Sequence, residues 1–156
     1  GIRDLVRSRG SEMCIRDSHI MSTFVLENIE GVNGKQRFDK LIVDGICPFD
    51  RFEAEIETCY KSELVGIYAV MNEVANLRSV PSTKFHFYDK TKGGYREFEF
   101  KSKHLRVYGI GQPGGKIIIT GGTKANQKKD ESDFRRLKDD YIKSKEQQNI
   151  NKDEAR

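Results

Sequence analysis

The sequence predicts an α+β domain in which N-terminal strands precede two helices packed on an antiparallel sheet, and a further helix follows the sheet. Three observations lead to this class. A chain of 156 residues is long enough for one modest core and too short for two ordinary domains. Apolar residues recur at helical spacing between Pro48 and Pro81, and they fall into short strand-like runs from Lys84 to Thr120.

The first strands are expected between Thr23 and Gly45. Phe24 and Leu26 alternate with other residues at strand spacing. A second apolar group, at 38–43, follows the turn-prone stretch Gly31–Gly34. The segment therefore predicts short strands joined by a turn.

Helical spacing begins at Pro48, which suits the first position of a helix because its missing N–H has no partner there in any case. Phe49, Phe52 and Ile56 follow at three- and four-residue spacing and predict a short amphipathic helix. A second helix is expected to follow directly and to stop before Pro81. Its apolar stripe consists of Leu64, Ile67, Tyr68, Met71, Val74 and Leu77.

Four further strands are predicted after Pro81, separated by glycine-rich turns. They are Lys84–Tyr88, Tyr95–Lys101, His104–Ile110 and Lys116–Thr120, with turns at Gly93–Gly94 and Gly111–Gly115. Side chains alternate along a strand, so Leu105 and Val107 are expected on one face of the third of these strands. His104, Arg106 and Tyr108 are expected on the other. We expect the first face to be core and the second to carry chemistry.

A last helix is predicted after the polar connection at 123–129. Asp130 or Ser132 is its expected N-cap. Its apolar stripe consists of Phe134, Leu137 and Tyr141. Residues 146–156 carry almost no apolar side chain and predict a frayed polar tail, so the expected domain is 21–145.

Residues 1–20 contain no continuous apolar segment, so we do not expect them to form a signal peptide. The string Arg9–Ser18 resembles the translated sequencing-adapter read-through found at the ends of some assembled environmental sequences. We therefore expect residues 1–20 to be non-native or disordered, with Met21 as the true start. The alternative is a natural basic arm that contacts RNA, because clustered arginines in tails can do so.

Composition excludes several classes of protein. The longest apolar run is far too short to cross a bilayer. Three cysteines, Cys14, Cys47 and Cys59, form no CxxC pair, which argues against a disulfide framework and a thiolate zinc site. Reduced thiols indicate a cytoplasmic protein. The formal charge of +4 is too small to identify a nucleic-acid binder by itself.

The distribution of charge is more informative than its sum. No Asp or Glu occurs between Phe100 and Lys129. The basic residues of this stretch are Lys101, Lys103, Arg106, Lys116, Lys124, Lys128 and Lys129. Such a separation of charge is the pattern that polyanion binding requires. The alternative is a solvated sheet face on which lysines only keep an edge soluble.

Tyr95, His104, Arg106 and Tyr108 are interleaved with these lysines. Aromatic and histidine rings can stack on unpaired bases, and arginine can hold a phosphate through two hydrogen bonds. A ribonuclease needs no metal if the ribose 2′-OH attacks the next phosphate; it needs a base, an acid and a cation. Lysine, histidine or tyrosine can serve as acid or base, and Arg106 is the natural cation because it stays charged. The alternative for His104 is an ordinary exposed strand residue.

Other catalytic signatures are weaker. Gly109–Gly114 loosely matches GxGxxG, but a strand rather than a helix follows it, so it predicts a hairpin turn. The histidines His19, His86 and His104 lack metal-ligand spacing. We therefore expect neither a metal nor a cofactor.

The element order and a set of motifs resemble the RelE/ParE superfamily of toxins, and within it the HigB-like, phage-derived branch. The motifs are Tyr95–Phe100, Leu105–Tyr108, Ile117–Ile119 and Lys124–Lys129. The resemblance covers roughly Pro48–Lys145. It implies the toxin of a type II toxin-antitoxin system, which cleaves mRNA on the ribosome and arrests growth. A helix-turn-helix antitoxin is the implied partner.

The resemblance also suggests site residues. Arg106 matches the family's central-strand arginine near the scissile phosphate, and Lys124 matches a basic position at the end of the last strand. The RelE branch has paired lysines where this chain has Glu97 and Glu99, and its late tyrosine has no convincing counterpart, which favours the HigB-like branch. The expected catalytic residues are Arg106, Lys124, His104, Lys103 and Tyr108. The expected RNA-binding residues are Lys101, Tyr95, Arg96, Lys128 and Lys129.

Two other functions stay open on this sequence. A ParE-like toxin would bind a topoisomerase without cutting RNA, because that branch shares the fold and lacks the ribonuclease residues. A non-catalytic module of phage origin would use the same basic face only to hold RNA or an acidic protein.

Overall fold

The structure is a computed structural model that describes residues 22–89 and 95–154. The proposals for residues 1–20 and for the Gly93–Gly94 turn lie outside the described residues. The strands are β1 (Phe24–Asn28), β2 (Arg37–Val43), β3 (Phe85–Phe87), β4 (Glu97–Lys101), β5 (Leu105–Gln112) and β6 (Gly115–Thr123). The helices are α1 (Pro48–Glu55), α2 (Lys61–Ala75) and α3 (Gln127–Glu154), with short 3-10 turns at Thr58–Tyr60 and Lys124–Asn126.

The two central helices confirm the predicted pattern. Pro48 is the first residue of α1, and the Cys47 thiol caps the helix by accepting the Asp50 N–H at 3.5 Å. Helix α2 ends at Ala75, earlier than its predicted stripe, because Leu77 adopts a left-handed φ of 63°.

The six strands form one sheet in the order β1-β2-β6-β5-β4-β3. The antiparallel pairing predicted for the strands after Pro81 is confirmed for β3 to β6. The six-stranded sheet as a whole is mixed, because β2 pairs with β6 in the parallel direction. The other neighbours are antiparallel. Strands β2 and β6 are far apart in the sequence, and the chain that connects them includes α1 and α2. A long crossover connection of this kind is what allows parallel pairing.

Both faces of the sheet are covered by helices, so the expectation of one core face and one open chemical face is wrong. Helices α1 and α2 pack on the face that carries Phe98, Phe100 and Val107. Helix α3 packs on the other face. Its stripe of Phe134, Leu137 and Tyr141 meets Tyr108, Ile110, Ile117 and Ile119. The apolar residues of α3 cover this second face, and Phe134 packs directly on the buried ring of Tyr108.

Helix α3 begins at Gln127, so Asp130 lies in its first turn and is not its N-cap, and neither is Ser132. The 3-10 turn at Lys124–Asn126 leads directly into the helix. At the other end the helix continues to Glu154, through most of the segment predicted as a tail, and residues 146–151 are exposed along it.

No helix within the described ranges combines the length and the apolar character that spanning a bilayer requires.

Candidate nucleic-acid interface

Five of the predicted site residues lie at one end of the sheet. Lys101 on β4 is paired with Arg106 on β5, and the turn between these strands carries Lys103 and His104. The end of β6 is adjacent, because the Lys124 N–H donates to the His104 carbonyl oxygen at 2.8 Å. We call this set the basic end: Lys101, Lys103, His104, Arg106 and Lys124.

The His104 ring is held by residues that sequence reasoning did not select. Its Nδ1 lies 2.7 Å from the Glu63 Oε2 atom on α2. The other carboxylate oxygen of Glu63 accepts hydrogen bonds from the Ser102 hydroxyl and from the backbone N–H of His104. Tyr60 stacks on the imidazole with ring centroids 4.7 Å apart. The ring therefore has a fixed position and orientation, although it lies towards α2 and not with Tyr108 as predicted.

This arrangement decides the tautomer of His104. Burial acts to raise the Glu63 pKa, but the hydrogen bonds from Ser102 and His104 outweigh it and lower that pKa to about 2. An ionised carboxylate only accepts hydrogen bonds, so Nδ1 of His104 must carry the proton. The neutral ring then keeps its lone pair on Nε2, for which the described residues offer no partner, and the side chain is 42% exposed. A histidine oriented by a carboxylate, with its other nitrogen free, has the geometry of a general base.

The depressed pKa of Glu63 predicts a loss of stability in acid. Its pKa falls from 4.5 in the unfolded chain to about 2 in the folded one, so its contribution is complete above pH 4.5 and is lost as pH falls towards 2. We expect the urea midpoint of Glu63→Gln to lie below that of the wild type at neutral pH and to approach it in acid. Glu57→Gln, which alters an exposed neighbouring carboxylate, should show no such convergence. A difference that is independent of pH would contradict this assignment.

Arg106 is largely buried at the basic end, with 8% of its surface exposed. Its Nη1 donates to the carbonyl oxygens of Ser102 and Leu105 at 2.7 and 2.8 Å, and its Nε is inaccessible and has no hydrogen-bond partner among the described residues. The guanidinium thus holds the turn that carries Lys103 and His104. Its role as a phosphate clamp stays a prediction.

Tyr108 is fully buried, unlike the other residues predicted to be catalytic. Its ring stacks on Phe134 of α3 with ring centroids 5.5 Å apart, and within residues 22–89 and 95–154 its hydroxyl has no hydrogen-bond partner. Burial raises its pKa, and so do the nearby carboxylates of Glu99, Glu131 and Asp130. Helix α3 would have to move before Tyr108 could contact RNA.

The residues predicted to bind RNA divide between two ends of the sheet. Lys128 and Lys129 are exposed in the first turn of α3, close in sequence to Lys124. Tyr95 and Arg96 precede β4, whereas Lys101 ends it, so Arg96 and Lys101 are separated by roughly 17 Å of extended chain. The Arg96 carbonyl accepts the Gly111 N–H at the far end of β5.

Carboxylates from distant parts of the chain line the sheet face under α3. Glu97 binds Lys138 at 2.9 Å and Arg135 at 3.3 Å. Glu99 and Glu131 approach the Tyr88 hydroxyl at 2.8 and 2.7 Å. Glu97 and Glu99 therefore bind side chains of α3 and of the segment around β3 on the sheet face that α3 covers.

A cleft of about 610 Å³ opens beside the basic end, between α1 and the start of α3. Tyr60, whose ring stacks on His104, forms part of its wall, together with Phe52, Thr123 and Lys129. The wall also carries four acids, which are Glu55, Glu57, Asp130 and Asp133. Its size falls in the range of small-molecule sites and suits a base turned out from a single strand.

No protein-family model, curated protein or solved structure matches this chain.

Proposed function

We propose that this protein is a cytoplasmic toxin of the RelE/ParE kind that cleaves mRNA on the ribosome without a metal ion. The observation that carries the proposal is the exposed His104 ring, fixed by Glu63 at 2.7 Å within a cluster of basic residues. The order of the elements, with strands, two helices, a sheet and a closing helix, supports the same family. A helix-turn-helix antitoxin is the proposed partner, because a free toxin would arrest its own host.

The proposed reaction is an internal transesterification. Nε2 of His104 removes the proton from a ribose 2′-OH, and the 2′ oxygen forms a bond to the adjacent phosphorus. The bond from phosphorus to the 5′ oxygen breaks, and a Lys103 or Lys124 ammonium gives that oxygen a proton. These ammonium groups also offset the negative charge of the phosphorane. The products are a 2′,3′-cyclic phosphate and a 5′-hydroxyl end, and proton exchange with water restores both side chains.

Each residue of the basic end has a part in this proposal. Lys101, Lys103 and Lys124 hold the RNA backbone, which makes binding weaker at high salt. Tyr60 and the cleft beside it receive the base next to the scissile bond. Arg106 keeps the turn in position through the carbonyl groups of Ser102 and Leu105.

The test is inducible expression of the full chain in bacteria, with growth measured and transcript 5′ ends mapped. We expect arrest with new 5′-hydroxyl ends inside translated regions. Both effects should be lost in Lys103→Ala/Lys124→Ala, because these exposed side chains contact the phosphates. Lys35→Ala/Lys143→Ala removes the same charge from exposed positions elsewhere and should remain toxic. Equal toxicity of the two double variants would contradict the proposed surface.

A ParE-like toxin that binds a topoisomerase is the second candidate. It is favoured by Glu97 and Glu99, which occupy the positions of the RelE branch's paired lysines and are engaged with other side chains. Arrest with damaged DNA and intact transcripts would select this function. Tight RNA binding with neither arrest nor cleavage would instead select a non-catalytic binding module.

A further inference from the structure

A second group of cations lies at the opposite end of the sheet from the basic end, around Lys116. This residue near the start of β6 is 7% exposed. Its Nζ donates to the Gln36 side-chain oxygen at 2.7 Å. None of the carboxylates in the described parts of the chain contacts it. A buried ammonium without an anionic partner is costly, so its surroundings require an explanation.

Aromatic rings provide part of that explanation. The Lys116 Nζ atom lies 5.9, 6.0 and 5.6 Å from the ring centroids of Phe38, Phe85 and Phe87. Ring faces attract a cation, but at these distances the attraction is modest. Burial, together with the nearby charge of Arg96, lowers the Lys116 pKa. The rings and Gln36 therefore do not fully compensate the charge.

The second cation is Arg96, which is exposed and whose guanidinium lies 3.8 Å over the ring of Phe87. Arg96 and Lys116 line the same cleft of about 490 Å³. The other side chains that line it are Gln36, Phe87, Tyr95, Gln112 and Pro113. Among the residues that the structure describes, the lining contains two cations, two amide side chains and two aromatic rings, and it contains no acid.

We propose that this cleft binds the phosphate group of a small phosphate monoester through Lys116 and Arg96. Two cations without a carboxylate match a dianion better than a singly charged carboxylate, and a guanidinium can hold a phosphate through two hydrogen bonds. The Gln36 amide nitrogen supplies a further donor, because its side-chain oxygen is the atom that accepts from Lys116, whereas the Gln112 amide nitrogen lies 3.4 Å from the Asp39 carboxylate. The remaining volume, beside Tyr95 and Phe87, accepts the organic part of the ligand. This site is distinct from the basic end and does not depend on RNA cleavage.

The probe is inorganic phosphate, titrated into the full-length protein while NMR follows the side-chain signals of Lys116, with acetate as the comparison anion. We expect saturable phosphate binding that is stronger than acetate binding and that raises the Lys116 pKa, because a bound dianion stabilises the ammonium. Arg96→Gln, an exposed change that leaves the core intact, should weaken binding about tenfold. Lys116→Met should abolish it, and Lys143→Ala on the exposed side of α3 should bind as the wild type does.

Three results would overturn the proposal. The first is the absence of saturable phosphate binding to folded wild-type protein. The second is binding that is unchanged in Arg96→Gln, which remains informative even if Lys116→Met fails to fold. The third is equal affinity for phosphate and acetate, because two cations should bind a dianion more tightly than a singly charged carboxylate.

Discussion

Replacing His104 by alanine should reduce RNA cleavage by about 10²- to 10⁴-fold, the usual contribution of a positioned general base. The Nε2 atom is the basic nitrogen that Glu63 leaves free at the basic end, and alanine removes it. The measurement is cleavage of ribosome-bound mRNA by purified protein, with 5′ ends quantified. Circular dichroism of the same sample establishes that the variant is folded.

Two variants separate catalysis from structure. His86→Ala removes the other histidine in the described ranges, which binds Glu99 at 2.9 Å on the face under α3, and it should keep its cleavage activity. Glu63→Gln should lower the rate, because the Glu63 carboxylate fixes the orientation and the tautomer of the imidazole. If His104→Ala cleaves as fast as His86→Ala, His104 is not the base.

Replacing Lys138 by methionine should lower the free energy of unfolding by about 3 kcal/mol. Lys138 is 2% exposed, and its ammonium lies 2.9 Å from the carboxylate of Glu97. Methionine fills a similar volume but leaves a buried carboxylate whose remaining cationic partner, Arg135 at 3.3 Å, is half-exposed. Urea unfolding, followed by far-ultraviolet circular dichroism, measures the change.

The matched comparison is Lys143→Met, an exposed position on the same helix, which should change the stability by less than about 0.5 kcal/mol. Glu97→Gln in the Lys138→Met background should recover part of the loss, since it removes the uncompensated charge. A Lys138→Met protein as stable as the wild type would show that the ion pair does not hold α3 to the sheet.

Local patterns in the sequence predict most elements because each depends on neighbouring residues. The proline at 48 and the spacing of Phe49, Phe52 and Ile56 predict α1, and the structure confirms it. The direction of β2 relative to β6 depends instead on a crossover between strands distant in the chain. No local pattern contains that information.

In the candidate site too, local sequence predicts some features, whereas contacts between distant residues determine others. Lys101, Lys103, His104 and Arg106 are near one another in sequence, so their proximity could be predicted, and Lys124 follows from the pairing of β5 with β6. Glu63 precedes His104 by 41 positions and lies in a helix. Nothing in its sequence context distinguishes it from other helical acids. Likewise, the burial of Tyr108 results from Phe134, a contact between separate elements.

The length of α3 has a consequence for motion. At 1.5 Å per residue, its 28 residues extend about 42 Å, whereas its buried contacts end near Tyr141. The exposed turns at 146–151 depend on their own backbone hydrogen bonds, and isolated helical turns are only marginally stable in water. Amide protons should therefore exchange progressively faster towards the C-terminal end of α3. The first part of the helix stays packed on the sheet, while its last turns unfold locally.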